Sequence, residues 1–188
     1  MTTDPLMPKR NTGRWFTIDA NRINARQLDK EMNLLERWHE DGVIDIIISE
    51  PASNEALKAG SPDRFKKARR YFHSQTLATT SAEREQLRLI SYALLGRDVR
   101  NNNEVYDVEI LFNTKKYPGG LITEDGLSKR QPVGILGRKA ELAALGIQIY
   151  RTSEAIDLVR KCIRIRDMRA TQLARKSGEP IAEWVGKD

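Results

Sequence analysis

Cysteine is nearly absent: Cys162 stands alone among 188 residues. A lone thiol excludes an intramolecular disulfide and a cysteine-based zinc site, and it fits a reducing, cytoplasmic setting. Histidine is almost as scarce, with His39 and His73 lying 34 positions apart in unrelated contexts, which argues against a His-rich metal centre. No apolar run approaches the roughly 20 residues needed to cross a bilayer, so no membrane partner is expected. Met1 to Arg10 hold Asp4, two prolines and no apolar stretch, so a secretory leader is not expected and residues 1–13 read as a flexible arm. Any metal must then be held by carboxylates. Oxygen-only ligation selects magnesium, manganese or calcium over zinc.

What the chain does have is an ordinary globular composition, 39% hydrophobic and 31% charged, at a length suited to one core. Lysine and arginine number 32 against 26 acids, giving a net charge of +6 and a pI near 9.5. That balance favours polyanionic partners such as RNA, through phosphate contacts and counterion release.

The apolar pattern alternates between strand and helix. Residues 14–18 read as a first strand. Leu28, Met32, Leu35 and Trp38 recur at spacings of four, three and three, one face of a helix over 28–40 closed by Asp41-Gly42. Val43 to Ile48 is a β-branched run, as in a strand buried on both faces. A short helix over 52–59 ends at Gly60. Ser61-Pro62 opens another, carrying Arg64, Lys66, Lys67, Arg69 and Arg70 with Phe65, Tyr71 and Phe72 between them. A loop over 75–80 leads to a helix over 81–95, capped by Ser81 and stopped by Gly96. Helix 107–116 ends at Pro118-Gly119-Gly120 and is followed by a strand over 121–123. A glycine-containing loop with Pro132 then leads to helix 135–145, strand 147–150 and a final helix capped by Thr152 and running to about Lys176. The order predicts a three-layer α/β/α sandwich around a mostly parallel central sheet, with extra helices in the middle and at the C-terminus. Residues 14–160 form its core, and 161–188 a helical extension and tail.

Four acids fall where such a fold places its crevice. Asp19 and Asp125 each follow the carboxyl end of a strand, while Glu55 and Asp107 sit near the starts of helices. Taken alone, Asp19 is either a site residue or a cap, and helix amino ends favour Glu55 and Asp107 by about 0.3–1 kcal/mol each. Taken together, crowded carboxylates raise one another's pKa unless a cation is present. One or two magnesium ions held this way would activate a water and stabilise the leaving oxygen of a phosphodiester.

The residues that carry chemistry also resemble a known family. Phe16-Thr17-Ile18-Asp19-Ala20-Asn21, Ile48-Ser49-Glu50-Pro51-Ala52-Ser53-Asn54-Glu55, Tyr106-Asp107-Val108-Glu109 and Leu121-Ile122-Thr123-Glu124-Asp125 stand in order, with 18 positions between the last two acids. Glu141 to Ala155 closes the series with a helix, a strand and a capped helix. From about Trp15 to Val159 the sequence resembles the PIN domain, a metal-dependent nuclease fold that includes bacterial toxin-type RNases. It is longer than the compact toxins through 61–104 and after Lys161. The resemblance implies a PIN-like fold and a Mg2+- or Mn2+-dependent endoribonuclease in which Asp19, Glu55, Asp107 and Asp125 are the metal-binding and catalytic acids. Asn21 and Thr123 would be polar supports, and Glu109 and Glu124 auxiliary acids. Glu50, five positions before Glu55, is the other candidate for the second carboxylate. A toxin role would add a small antitoxin protein as partner. The alternative is a catalytically silent PIN-like module that binds RNA or a protein.

Two basic concentrations complete the picture, residues 64–70 and the last helix with Arg160, Lys161, Arg164, Arg166, Arg169, Arg175 and Lys176. Each is either a solvated face or a phosphate-binding one. The first follows Glu55 closely, which makes Arg64, Lys66, Lys67, Arg69 and Arg70 the candidate nucleic-acid contacts. Ile181 and Trp184 either anchor the tail on the domain or meet a second copy in a homodimer.

Overall fold

Three consecutive isoleucines decide the centre of the molecule. The computed structural model describes residues 9–58, 62–74, 77–117, 119–126 and 133–188. In it Ile46, Ile47 and Ile48 are buried within strand β2, Asp45–Ser49. β2 pairs in parallel with β1, Trp15–Ile18, in the register Phe16↔Ile46 and Ile18↔Ile48. On its other side β1 pairs in parallel with β4, Gly120–Ile122. The edge strands are β3, Phe72–Ser74, beside β2 and β5, Ile149–Tyr150, beside β4. The sheet is therefore five-stranded and wholly parallel, in the order β3-β2-β1-β4-β5.

Helices cover both faces, giving the three-layer α/β/α fold. Helix α1, Lys30–Glu40, packs on β2 and on the long last helix α8, Thr152–Ser177. Asp29 caps α1 by accepting from the backbone N–H groups of Glu31 and Met32 at 3.0 Å each. Its inward face holds Met32, Leu35 and Trp38, whereas Leu28, one residue before the cap, is 80% exposed. Between β2 and β3 lie α2, Glu50–Lys58, and α3, Pro62–Ala68. Helices α4, Ser81–Leu95, and α5, Asn102–Lys116, pack together, and α5 meets β4. Two short helices, α6 at Gly134–Gly137 and α7 at Lys139–Ala144, precede β5.

Successive strands leave β1 toward β3, and the chain then returns to the other side of β1 for β4. The order thus reverses between β1 and β4, and in a parallel sheet the crevice at the carboxyl ends beside that reversal is where ligands bind. Gly120 lets β4 take its place there, because a Cβ on it would stand 2.4 Å from the Tyr150 ring.

Several elements differ from expectation, each for a local reason. The helix opened by Ser61-Pro62, expected to carry Phe72, ends at Ala68, because Phe72–Ser74 pairs with β2 as an edge strand; sheet pairing overrides local preference. Helix 135–145 breaks at Arg138, after Gly134 and Gly137 have weakened it. The α4 cap is Thr80, accepting from Glu83 N at 3.2 Å, rather than Ser81. Arg151, not Thr152, holds the cap position of α8. Helix α8 ends at Ser177, within a residue of the expected end near Lys176. Residues 9–13 are pinned: Thr12 N donates to Val43 O at 2.8 Å, and Asn11 Nδ2 to Asp45 Oδ2 at 3.0 Å. Residues 1–8 of the arm, the Gly60-Ser61 helix signals, the start of the loop at 75–76, Pro118 and the loop stretch 127–132 with Pro132 lie outside the described residues. Among the described residues no helix is long and apolar enough to cross a membrane.

Of the tail residues, Trp184 turns inward, its ring 4.6 Å from the Arg166 guanidinium. One charged cluster lies in the core between α1 and α3. Lys67 Nζ donates to Glu36 Oε2 at 2.8 Å, and Tyr71 OH donates to Glu36 Oε1 at 2.5 Å. All three side chains are buried. Removing one partner of a buried ion pair leaves an uncompensated charge, at a cost of about 3–5 kcal/mol. Lys67→Ala is therefore expected to lower the unfolding free energy by about 3 kcal/mol, measured by urea denaturation, with Lys67→Ala/Glu36→Leu recovering part of the loss.

Candidate metal and nuclease site

Asp19 is the first residue past β1, and its own N–H continues the ladder by donating to Ile122 O of β4 at 3.1 Å. That bond sets the carboxyl ends of β1 and β4 side by side. The Thr123 hydroxyl, fully buried, then donates to Asp19 Oδ2 at 2.6 Å and accepts from Asp125 N at 3.0 Å. Asn21, in a single 3-10 turn over Ala20–Arg22, donates from Nδ2 to Asp19 Oδ2 at 2.7 Å and to Thr123 Oγ1 at 3.2 Å. One hydroxyl and one amide thus hold Asp19 and orient the backbone that presents Asp125. The Asp125 carboxylate is fixed from the other side: Ile135 N donates to its Oδ2 at 2.8 Å. Gly134 permits this approach, since at its φ of +37° a Cβ would lie 2.5 Å from that oxygen.

Glu55 and Asp107 come from α2 and α5, which pack against each other, and both sit in second turns rather than at helix starts. Glu55 is the sixth residue of α2 and Asp107 the sixth of α5. The four carboxylates share one field. Burial pushes the Asp107 carboxyl up to about 8 from an ordinary 3.8, helped by the charges of Asp19, Asp125 and Glu55 and, last, Glu104. Burial also raises Glu55, as do Asp19 and Asp125, while Arg64 opposes them. Asp19 is raised by burial against the lowering effect of the Thr123 hydrogen bond, with Asp125 adding to the rise. Of Glu50 and Glu55, it is Glu55 whose carboxyl is raised in part by the charges of Asp19 and Asp125. Glu50 instead stands near Glu109, whose carboxyl is raised by burial and then by Glu50. Glu124 is taken up elsewhere, accepting from Thr152 N at 3.1 Å at the start of α8.

Among the described residues no group of three or more Asp, Glu, His or Cys side chains meets metal-holding geometry as it stands. The fold brings the acids into one field against their mutual repulsion. Of the candidate contacts on α3 and the turn after it, Arg64 borders the site and donates from Nη2 to Ala20 O, and Lys66, Arg69 and Arg70 are exposed. Lys67 is buried against Glu36 and is withdrawn from that surface. A cleft of about 420 Å³ opens beside the acids, lined by Asn21, Arg22, Arg26, Leu28 and Arg64 among others. The Ile135 clamp on Asp125 was not foreseen from sequence; the only available signal was Gly134 directly before an apolar residue.

Comparison of the sequence with protein-family models and with curated proteins finds no match.

The raised Asp107 carboxyl has a consequence for stability. Between its unfolded value near 4 and about 8, the folded protein keeps a proton that the unfolded chain releases, so stability falls as pH rises through that window. Asp107→Asn removes the effect. In the presence of chelator this variant is expected to melt higher than the unaltered protein at pH 8, by about 2–4 °C for each kcal/mol gained. The difference should close toward pH 4. Calorimetric melting temperatures from pH 4 to 9 test this, and a lower Asn melting point at pH 8 would refute it.

Proposed function

We propose that the chain is a Mg2+- or Mn2+-dependent endoribonuclease that hydrolyses RNA phosphodiester bonds at the crevice beside β1 and β4. The observation that carries this reading is Asp107, pushed to about 8 by burial and by the carboxylates of Asp19, Asp125, Glu55 and Glu104. Such mutual repulsion is what a divalent cation relieves. The donor set is all oxygen, which suits these two cations. The net charge of +6 and the exposed basic residues after Glu55 suit an RNA partner. The resemblance to the PIN domain supports the same assignment.

In this reading Asp19, Glu55, Asp107 and Asp125 hold the cation, and Asn21 and Thr123 keep Asp19 in one orientation. When bound, the cation supplies Lewis acidity, activating water and offsetting charge at the phosphodiester. Asp19 is buried and the other three carboxyls are half-buried, which limits competing solvent at the site. Arg64, beside Glu55, and the exposed Lys66, Arg69 and Arg70 orient the polyanion.

Asp19→Asn and Asp125→Asn are each expected to abolish Mn2+-dependent cleavage of labelled RNA, at least 100-fold, while leaving circular dichroism unchanged. Retained turnover in either purified variant removes the mechanism. Mn2+ at 100 times its dissociation constant should stabilise the unaltered protein by about 2.7 kcal/mol. No stabilisation at any concentration would favour the other reading, a silent module binding RNA or a protein. A toxin role, within the nuclease reading, predicts growth arrest on expression that a co-encoded antitoxin relieves.

A further inference from the structure

The pole opposite the acids carries a second cavity. It lies at the amino end of the sheet, measures about 440 Å³, and is lined by Lys9, Thr12, Arg14, Cys162, Arg166 and Arg169 among others. Its lining holds four cations and no carboxylate. Arg166 is neutralised, donating to Asp167 Oδ1 at 2.7 Å and to Asp188 Oδ2 at 2.9 Å. The ion pairs found among the described residues engage none of Lys9, Arg14 or Arg169. The walls are fixed. Thr12 is bonded through N and Oγ1 to Val43 O, and Arg14 Nε donates to Cys162 Sγ at 3.3 Å. The charges converge from two separate elements, the segment entering β1 and the helix α8, so they border a hollow instead of lining one solvated helix face.

A smaller hollow of about 180 Å³ shares Gly13 and Arg14 with this cavity and adds Trp15 and Tyr150 to its lining. Trp15 is 39% exposed. Cationic walls continuous with an accessible aromatic are what single-stranded nucleic acid requires: charge for the backbone and a ring face for a base.

We propose that these joined hollows are a second nucleic-acid site, in which Lys9, Arg14 and Arg169 hold backbone phosphates of single-stranded RNA and Trp15 receives a base. The proposal rests on the RNA reading only for the identity of the polyanion. Five residue steps of extended chain separate Arg14 from Asp19, roughly 16 Å, so this site anchors a strand without touching the acids.

The test uses the full chain carrying Asp125→Asn, in chelator, so that cleavage plays no part and failure of the nuclease mechanism leaves the measurement intact. Binding of a short fluorescein-labelled single-stranded RNA is followed by anisotropy from low to high salt. Adding Arg14→Ala and Arg169→Ala is expected to weaken binding at least tenfold and to flatten the log–log salt slope by roughly 1.4, two contacts at about 0.7 each. Trp15→Ala should weaken binding with the slope unchanged. A second readout needs no altered arginine: the same RNA should slow alkylation of Cys162 by iodoacetamide, and this alone decides if the double variant does not fold. Unchanged affinity and slope in a folded double variant, or an unprotected Cys162, would overturn the proposal. Equal protection by inorganic phosphate at matched phosphate concentration would make this a small-anion site, and would overturn it as well.

Discussion

The buried hydroxyl of Thr123 is the point on which the acidic crevice depends. It donates to Asp19 and accepts from the backbone of Asp125, so one side chain spans the two central strands at their carboxyl ends. It can do so only because β1 and β4 are parallel neighbours in register Ile18↔Ile122. On its other side β4 sits close against β5 because of Gly120, where any side chain would meet the Tyr150 ring. A buried hydroxyl with its bonds satisfied contributes about 1 kcal/mol of net stability, yet leaving one of its partners unmatched costs more. The larger effect is orientational, because the carboxylate it holds cannot swing away from the repulsion of its neighbours.

The layer order, the parallel sheet and the acids were legible in the sequence because each rests on local pattern. Isoleucine density marks β2, the heptad-like spacing of Met32, Leu35 and Trp38 marks α1, and an acid after an apolar strand marks the sheet edge. What stayed hidden depends on contacts distant in sequence. Phe72–Ser74 has no strand pattern of its own and becomes one by pairing with Ile47–Ser49. Lys67 reads as one more surface cation in a basic run, and its burial follows from Glu36, 31 positions earlier. The placement of Asp107 is similar. It was expected at a helix start, where the helix dipole would have eased its charge. Asn101 instead caps α5 a turn earlier, and Asp107 is left in the second turn without that relief.

The rest of the molecule's charge shows why the crevice is not simply neutralised from within. Arg22 lowers the Asp19 carboxyl and Arg64 lowers Glu55, but each is outweighed by burial. Arg22 is also engaged by Asp29 at 2.9 Å, and Arg64 by the Ala20 carbonyl. Further cations are spread over α1, α3, α4, α5, α7 and α8 and around the opposite pole. With 32 basic residues available, full internal pairing of four acids would have been chemically easy, and it would have stabilised the fold. The net upward direction at Asp19, Glu55 and Asp107 is thus a stability cost that the folded chain carries at neutral pH. In the proposed reading a hard divalent cation relieves that cost, since its charge and ligand preference match these carboxylates.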